Sequence, residues 1–399
     1  MKKITPSMTF ILLLGIVSLF SDMTHEGAAS IRGAYLSFLG ASASVIGFVS
    51  GLGELVGYSL RWVFGKLTDK TKKYWTMTII GYAIDVFAVP ALALVSEDGW
   101  ILACFLLILE KMGKAIKKPA KSTILSFAAS REGAGKSFAV QEALDQIGAF
   151  IGPLILYLVM LFKGGSGCEV YSACFAVLLV PAFLTMFFLL YAKRRFPNPE
   201  LFEPESKKEE KFTFNRSFAV YIIGISLFAF GFIDFSLITM HVFKSGIFTD
   251  RQLPLLYAGA MAADALSALF FGCMYDRHGV KALVLSTLLS APFALFIFGF
   301  ASPDMIIFGM ILWGVGMGAQ ESILKAVVSV IVPKQSRGAG YGIFEFSFGL
   351  FWFLGSWLLG VLYDTSIYAL IAVSIAAQSA SIPLYLLFAR MSMAEAQRS

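Results

Sequence analysis

Twelve apolar runs of about 20 residues, divided by short polar breaks, constrain this 399-residue chain more than any other feature. A run of that length crosses the ~30 Å hydrocarbon layer as a helix, and only helices or closed barrels can satisfy their backbone groups there. The runs fall at 9–36, 44–65, 75–95, 99–117, 137–162, 169–192, 217–240, 252–275, 282–300, 304–332, 338–362 and 366–389. Composition agrees: 58% of residues are hydrophobic and 15% are charged, where soluble domains carry about a quarter charged. The expected class is an all-α integral membrane protein with twelve transmembrane helices. Met1-Lys2-Lys3 leads into an apolar run without a small-residue cleavage site, which reads as a first helix and not as a removed leader. Cys104, Cys168, Cys174 and Cys273 are scattered and imply neither a zinc site nor a disulfide framework, so no metal or other cofactor is expected.

The basic residues orient the spans. Most Lys and Arg lie at the N-terminus, in 66–74, 114–136, 193–216, 277–281 and 334–337, and at the C-terminus. The opposite loops hold only Lys163, Lys244 and Arg251, which places both termini in the cytoplasm of a cell membrane. The net charge of +6 is explained by these flanks and is no sign of nucleic acid. Between spans six and seven, Lys193 to Lys211 carries three prolines and dense mixed charge, the pattern of a solvated linker. It divides the chain into an N-terminal half (1–192), a linker (193–216) and a C-terminal half (217–399).

The two halves read as repeats. Gly65-Lys-Leu-Thr-Asp69-Lys70 follows span two, and Gly272-Cys-Met-Tyr-Asp276-Arg277 follows span eight, with the same spacing from glycine to acid to base. A second match sets Glu142 to Gly152 against Glu345 to Gly355 at a constant offset. Paired six-helix repeats are a signature of secondary transporters, whose substrate site lies between them.

At this point the chain resembles the major facilitator superfamily over nearly its full length. Gly65 to Lys73 is similar to that superfamily's signature loop between helices two and three, with Lys72 where the pattern usually has glycine. The resemblance implies a central cavity between the halves, lined by spans one, four, seven and ten, and a cytoplasmic latch formed by Gly65, Asp69, Lys70, Asp276 and Arg277. Gly148-Ala-Phe-Ile-Gly152-Pro153 in span five resembles a motif of the proton-coupled exporters, although Leu156 stands where a further glycine belongs. Read from the residues alone, it predicts close helix packing through small side chains and a proline-weakened turn, a candidate gating element.

Ionisable groups at membrane depth cost about 2.5–3.5 kcal/mol each and by default mark a pathway or a relay. Those inside the spans include Asp22, Glu26 and Arg32 with His25 in span one, Glu110 and Lys111 in span four, Asp234 in span seven, and Glu321 and Lys325 in span ten. At about 100° per residue Asp22, His25, Glu26 and Arg32 occupy roughly one 120° arc of a helix. These residues are the candidate substrate and proton site. The plain alternative for the first cluster is a Glu26–Arg32 ion pair, and Glu321 and Lys325 stand at pairing distance on a helix. Asp85 with Glu54 is a weaker candidate relay. Glu142 and Asp145 lie within reach of Lys111, Lys114, Lys117 and Lys121, as a structural network or an anion-attracting vestibule.

An enzyme is disfavoured: His25-Glu26-Gly-Ala-Ala29 lacks the second histidine of a zinc-hydrolase helix. A channel fits two charged repeats less well than alternating access. The expected function is secondary active transport of a small molecule or ion with protons as the coupling ion, by antiport and efflux. Uptake of an organic anion and export of a divalent metal cation stand as alternatives. The expected partners are that solute, protons and the lipid bilayer, with no nucleic acid, and the protein is expected to be monomeric.

Overall fold

The structure, a computed structural model, describes residues 5–132, 134–165, 167–202, 216–331 and 337–396, with the side chains of some further positions, among them Glu321 and Lys325, outside the description. Twelve helical segments follow one another: α1 (Pro6–Phe38), α2 (Ala43–Thr71), α3 (Tyr74–Leu94), α4 (Trp100–Glu132), α5 (Ala134–Lys163), α6 (Cys168–Arg195), α7 (Arg216–Ser245), α8 (Asp250–His278), α9 (Lys281–Phe298), α10 (Pro303–Ile331), α11 (Arg337–Thr365) and α12 (Ile367–Ala396). Eleven are long and apolar enough to cross a membrane among the described residues. The exception is α4, which is long enough but carries Glu110, Lys111, Lys114, Lys117 and Lys121 along its length. The twelve-helix architecture expected from the apolar runs is present.

Local sequence explains where the helices start and break. Thr5 caps α1 by accepting from the Met8 amide at 3.1 Å, and Pro6 occupies a first-turn position whose missing N–H is not needed. α3 tightens into a 3-10 turn at Pro90–Leu94, and α9 is interrupted at Ala291 and Pro292. α7, expected as one continuous span, is instead split into Arg216–Gly231 and Phe235–Ser245. After α2 the chain turns through Lys72 at φ +55°, the left-handed region where the superfamily's loop usually has glycine. At the matching place after α8 stands Gly279, at φ +59°.

The contacts group the helices into two compact units, Met1–Gly40 with Val56–Lys207, and Ala41–Leu55 with Lys208–Ser399. In the first unit a core forms around Phe10, Trp75, Tyr82, Ile124 and Leu189. The beginning of the expected linker touches this core through its aromatic residues, while Lys193, Arg194, Arg195, Asn198 and Glu200 are exposed. Phe196 and Phe202 pack their rings 5.2 and 5.8 Å from that of Phe10, and the Trp75 indole donates to the Phe196 carbonyl at 3.1 Å. Two aromatic side chains and a hydrogen bond thus anchor a stretch whose charged residues face outward. Residues 203–215 lie outside the described residues.

Small residues set the closest approaches, as the glycine pattern in span five predicted. Gly148 lies against the Leu19 carbonyl, and Gly152 against the Met23 carbonyl and the Gly27 amide, so α5 meets α1 backbone to backbone. In the second unit Gly355 of α11 makes the corresponding contact with the Phe230 carbonyl of α7.

Candidate functional site

The ionisable residues of α1 meet those of α3 and α4 in the interior of the first unit. Two reciprocal glycines make the meeting possible. A Cβ on Gly81 would stand 2.5 Å from the Lys117 amide nitrogen, and one on Gly113 would stand 2.5 Å from that of Asp85. Each glycine lies one turn before the charged partner on its own helix, so α3 and α4 cross in direct backbone contact and deliver Asp85 and Lys117 to each other.

The two carboxylates at the centre, Asp85 and Glu110, are fully enclosed. Lys117 donates to Asp85 Oδ2, and to the Ser21 hydroxyl on α1 at 3.0 Å. It also lies over the Tyr82 ring, 4.0 Å from its centroid. Glu110 receives Arg32 Nη2 at 2.9 Å and Lys114 Nζ at 3.0 Å, one turn along its own helix. His25 stands between the two acids: Nε2 is hydrogen-bonded to Asp85 Oδ2 at 2.9 Å, and Nδ1 lies 3.2 Å from Glu110 Oε1 in ion-pair range without hydrogen-bond alignment. Next to this core Asp22 and Glu26 are half-buried, Asp22 beside Asp145, Lys117 and Lys121, and Glu26 beside Lys114. Lys121 reaches back to the Ser18 hydroxyl on α1.

A proton bound in this arrangement would change its net charge. A buried ring between two carboxylates adds a positive charge when protonated, in surroundings that already hold Arg32, Lys114 and Lys117 against Asp85 and Glu110. In a low-dielectric interior such a change strongly favours rearrangement of the ion pairs over toleration of the extra charge. The ligand atoms of His25, Asp85 and Glu110 also lie within 4.8 Å of one another, a spacing that a metal ion could bridge. The donor set argues against it, because both acids already meet ammonium or guanidinium groups that would repel a cation.

Asp22, His25, Glu26, Arg32 and Glu110 of the expected site thus gather in one unit, with Lys111 close enough to Glu110 to add to the field on it. Arg32, expected opposite Glu26 in the plain reading, donates to Glu110. Asp234 belongs to the other unit. There its carboxylate caps the second half of α7, accepting from the Ser236 amide at 2.9 Å. The side chains of Glu321 and Lys325 lie outside the described residues. Of the expected latch, Asp69 and Lys70 are exposed at the end of α2, and Asp276 and Arg277 at the end of α8, with Gly65 and Gly272 half-buried one turn earlier. Gly148 and Gly152, with Pro153 inside α5, are packing residues against α1. Sequence reasoning ranked Asp85 low and treated Lys114 and Lys117 as partners of Glu142 and Asp145. The missed signal is the spacing Gly81-x-x-x-Asp85 and Gly113-x-x-x-Lys117 on consecutive spans.

The second unit is built differently at its centre. Where α7 breaks, the Gly231 carbonyl accepts from Ser374 at 2.7 Å and Gln378 at 3.2 Å on α12, and the Ile233 carbonyl accepts from the Trp313 indole on α10 at 3.0 Å. Phe232, in the break, stands with ring centroids 5.7 Å from both Trp313 and Trp352 and 5.2 Å from Phe293.

Comparison with known proteins adds the family. The sequence model described as Major Facilitator Superfamily matches residues 8–249 and 241–397. An uncharacterized protein of Mycobacterium tuberculosis (strain ATCC 25618 / H37Rv) is 39% identical over 373 residues, covering 92% of this chain and 90% of that protein. An uncharacterized MFS-type transporter of Methanocaldococcus jannaschii is 24% identical over 371 residues, 89% of this chain and 88% of its own. Among solved structures, the nucleoside transporter NupG superposes with a TM-score of 0.71 at 17% identity over 96% of this chain and 99% of that one. A D-xylose-proton symporter superposes with a TM-score of 0.69 at 15% identity over 93% and 96%.

Proposed function

The chain belongs to the Major Facilitator Superfamily, and from that premise we propose that it is a secondary active transporter exchanging a small solute for protons by alternating access. The observation that carries the proton part is His25, enclosed between Asp85 and Glu110 at 2.9 and 3.2 Å. Binding or losing a proton there changes the charge of a largely enclosed cluster that ties α1, α3 and α4 together. The favoured geometry of those helices then depends on the proton, which is the requirement for coupling. Asp22 and Glu26, half-buried on the same helix, are the groups through which protons reach the ring. The Gly148–Gly152–Pro153 segment, similar to that of proton-coupled exporters, supports exchange and export over uptake. The placement of Lys and Arg supports a cell membrane with both termini in the cytoplasm. Metal export fits less well, since Arg32, Lys114 and Lys117 fill the positions a cation would need.

The test begins with a ligand-stabilisation screen on purified protein and continues with flux in proteoliposomes for each hit. Wild-type protein is expected to accumulate or expel the solute only under a pH gradient. Asp22→Asn and Glu26→Gln are expected to insert normally and to lose that dependence. Unchanged gradient dependence in both single variants and in the double variant would refute the reading.

A further inference from the structure

The second unit contains buried polar groups that its packing does not use. Both ends of the Gln320 carboxamide and the indole N–H of Trp352 have no hydrogen-bond partner among the described residues, although each residue is about 95% enclosed (5% exposed). A buried donor or acceptor without a partner costs about 1–3 kcal/mol. Among neighbouring groups of the same chemistry, the Trp313 indole serves Ile233 and the Gln378 Nε2 serves Gly231 and Ser374, while Gln378 Oε1 is unpaired like the Gln320 carboxamide.

Helix geometry shows where the orphaned groups point. On α10 the Trp313 side chain reaches Ile233, a Cβ on Gly316 would stand 2.9 Å from Phe232, and the Leu324 carbonyl accepts from Tyr221 at 2.8 Å. Gln320 lies one turn past Gly316 and one before Leu324, so it belongs to the stripe that faces α7 beside Phe228. Trp352, on α11, approaches the same place, with its ring centroid 5.7 Å from Phe232. Phe228 and Phe232 stack at 5.2 Å between them. One amide with a free donor and a free acceptor, one free indole N–H and flat aromatic faces therefore converge on α7 just before its break.

We infer that this cluster is the recognition subsite for a neutral heteroaromatic ring whose edge carries a hydrogen-bond donor beside an acceptor. A carboxamide pairs in two-point fashion with such an edge, as it does with a lactam or an aminoazine. The Trp352 N–H takes a further ring acceptor, and the ring lies against aromatic faces. The two orphaned side chains, Gln320 and Trp352, are uncharged and match an uncharged ring edge. The inference rests on the proposed transport function and names the chemistry of its solute.

The experiment is equilibrium binding to purified full-length protein, without any pH gradient, using uracil, adenine and nicotinamide as probes and D-xylose and benzoate as controls. Tryptophan fluorescence and thermal stabilisation are the readouts. At least one of the three rings is expected to bind and quench the signal. Gln320→Met, which keeps the bulk and removes the amide, and Trp352→Phe, which keeps an aromatic ring and removes the N–H, are each expected to weaken it by about tenfold. Unliganded melting curves of both variants report whether they are folded, and either variant alone suffices. No binding by any of the three rings, binding unaffected by a folded variant, or binding of D-xylose or benzoate that depends on Gln320 would each overturn the inference. Ring binding without gradient-driven flux would refute the transport reading alone, and gradient-driven flux of another solute without ring binding would refute the subsite alone.

Discussion

The two units solve the same packing problem and fill the result with opposite chemistry. In each, a glycine on the fifth helix of the repeat meets a carbonyl of the first, Gly152 on α5 against Met23 and Gly355 on α11 against Phe230. In the first unit the adjoining interior holds Arg32, His25, Asp85, Glu110, Lys114 and Lys117, and each named acid is met by a base. In the second unit the corresponding helix is broken, its loose carbonyls are taken by Ser374, Gln378 and Trp313, and the centre is aromatic and amide. Under the proposed function, this contrast would set the charge-dependent part of the cycle in the first unit and solute recognition in the second.

Stability measurements on purified protein can break this contrast. The largest effect is expected for Glu110→Leu, which leaves the buried Arg32 and the half-buried Lys114 without their shared partner; breaking such an ion network destabilises by about 3–5 kcal/mol. An unchanged thermal or chemical unfolding midpoint would mean that the cluster is hydrated and not a buried network. Gly113→Ala forces the Asp85 backbone away from α4 and is expected to destabilise by about 1–3 kcal/mol through overpacking. In the second unit the sign reverses: Gln320→Met removes an unpaired amide and is expected to raise stability by about 1 kcal/mol while weakening ring binding. A loss of stability there would show that the amide has a structural partner. The smallest effect belongs to the loop after α2. Replacing Lys72, at φ +55°, by glycine relieves a left-handed backbone and is expected to raise the unfolding midpoint slightly, by up to about 1 kcal/mol.

Much of this was legible in the residues because it rests on strong local signals. Twenty-residue apolar runs leave little choice but helices, and the paired Gly-to-Asp loops after spans two and eight align the repeats. Even the departure at Lys72 was informative, since the structure places that residue in the glycine-favoured conformation. The candidate site was legible only in part. His25, Arg32 and Glu110 stood out as charges in apolar spans, but their partners are fixed by helix crossings that no single-span pattern encodes. Asp85 was undervalued because its significance comes from Gly113 on a different helix. The break in α7 was missed because Phe228-Ala-Phe-Gly-Phe-Ile233 is as apolar as a continuous span and holds no proline. What stabilises it comes from Trp313, Ser374 and Gln378, far along the chain. Asp234, read as a proton site, sits where its carboxylate caps the restarted helix.

The central claim is that the proton coupled to transport resides on the His25 cluster, and His25→Gln in proteoliposomes tests it most directly. Using a solute identified by binding, two rates are compared in wild type and variant: uptake driven by an imposed pH gradient, and gradient-free counterflow. The account predicts that His25→Gln keeps counterflow and loses the response to the gradient, because the helices still rearrange but no longer carry a proton. Gradient-driven transport at the wild-type level in that variant would contradict it.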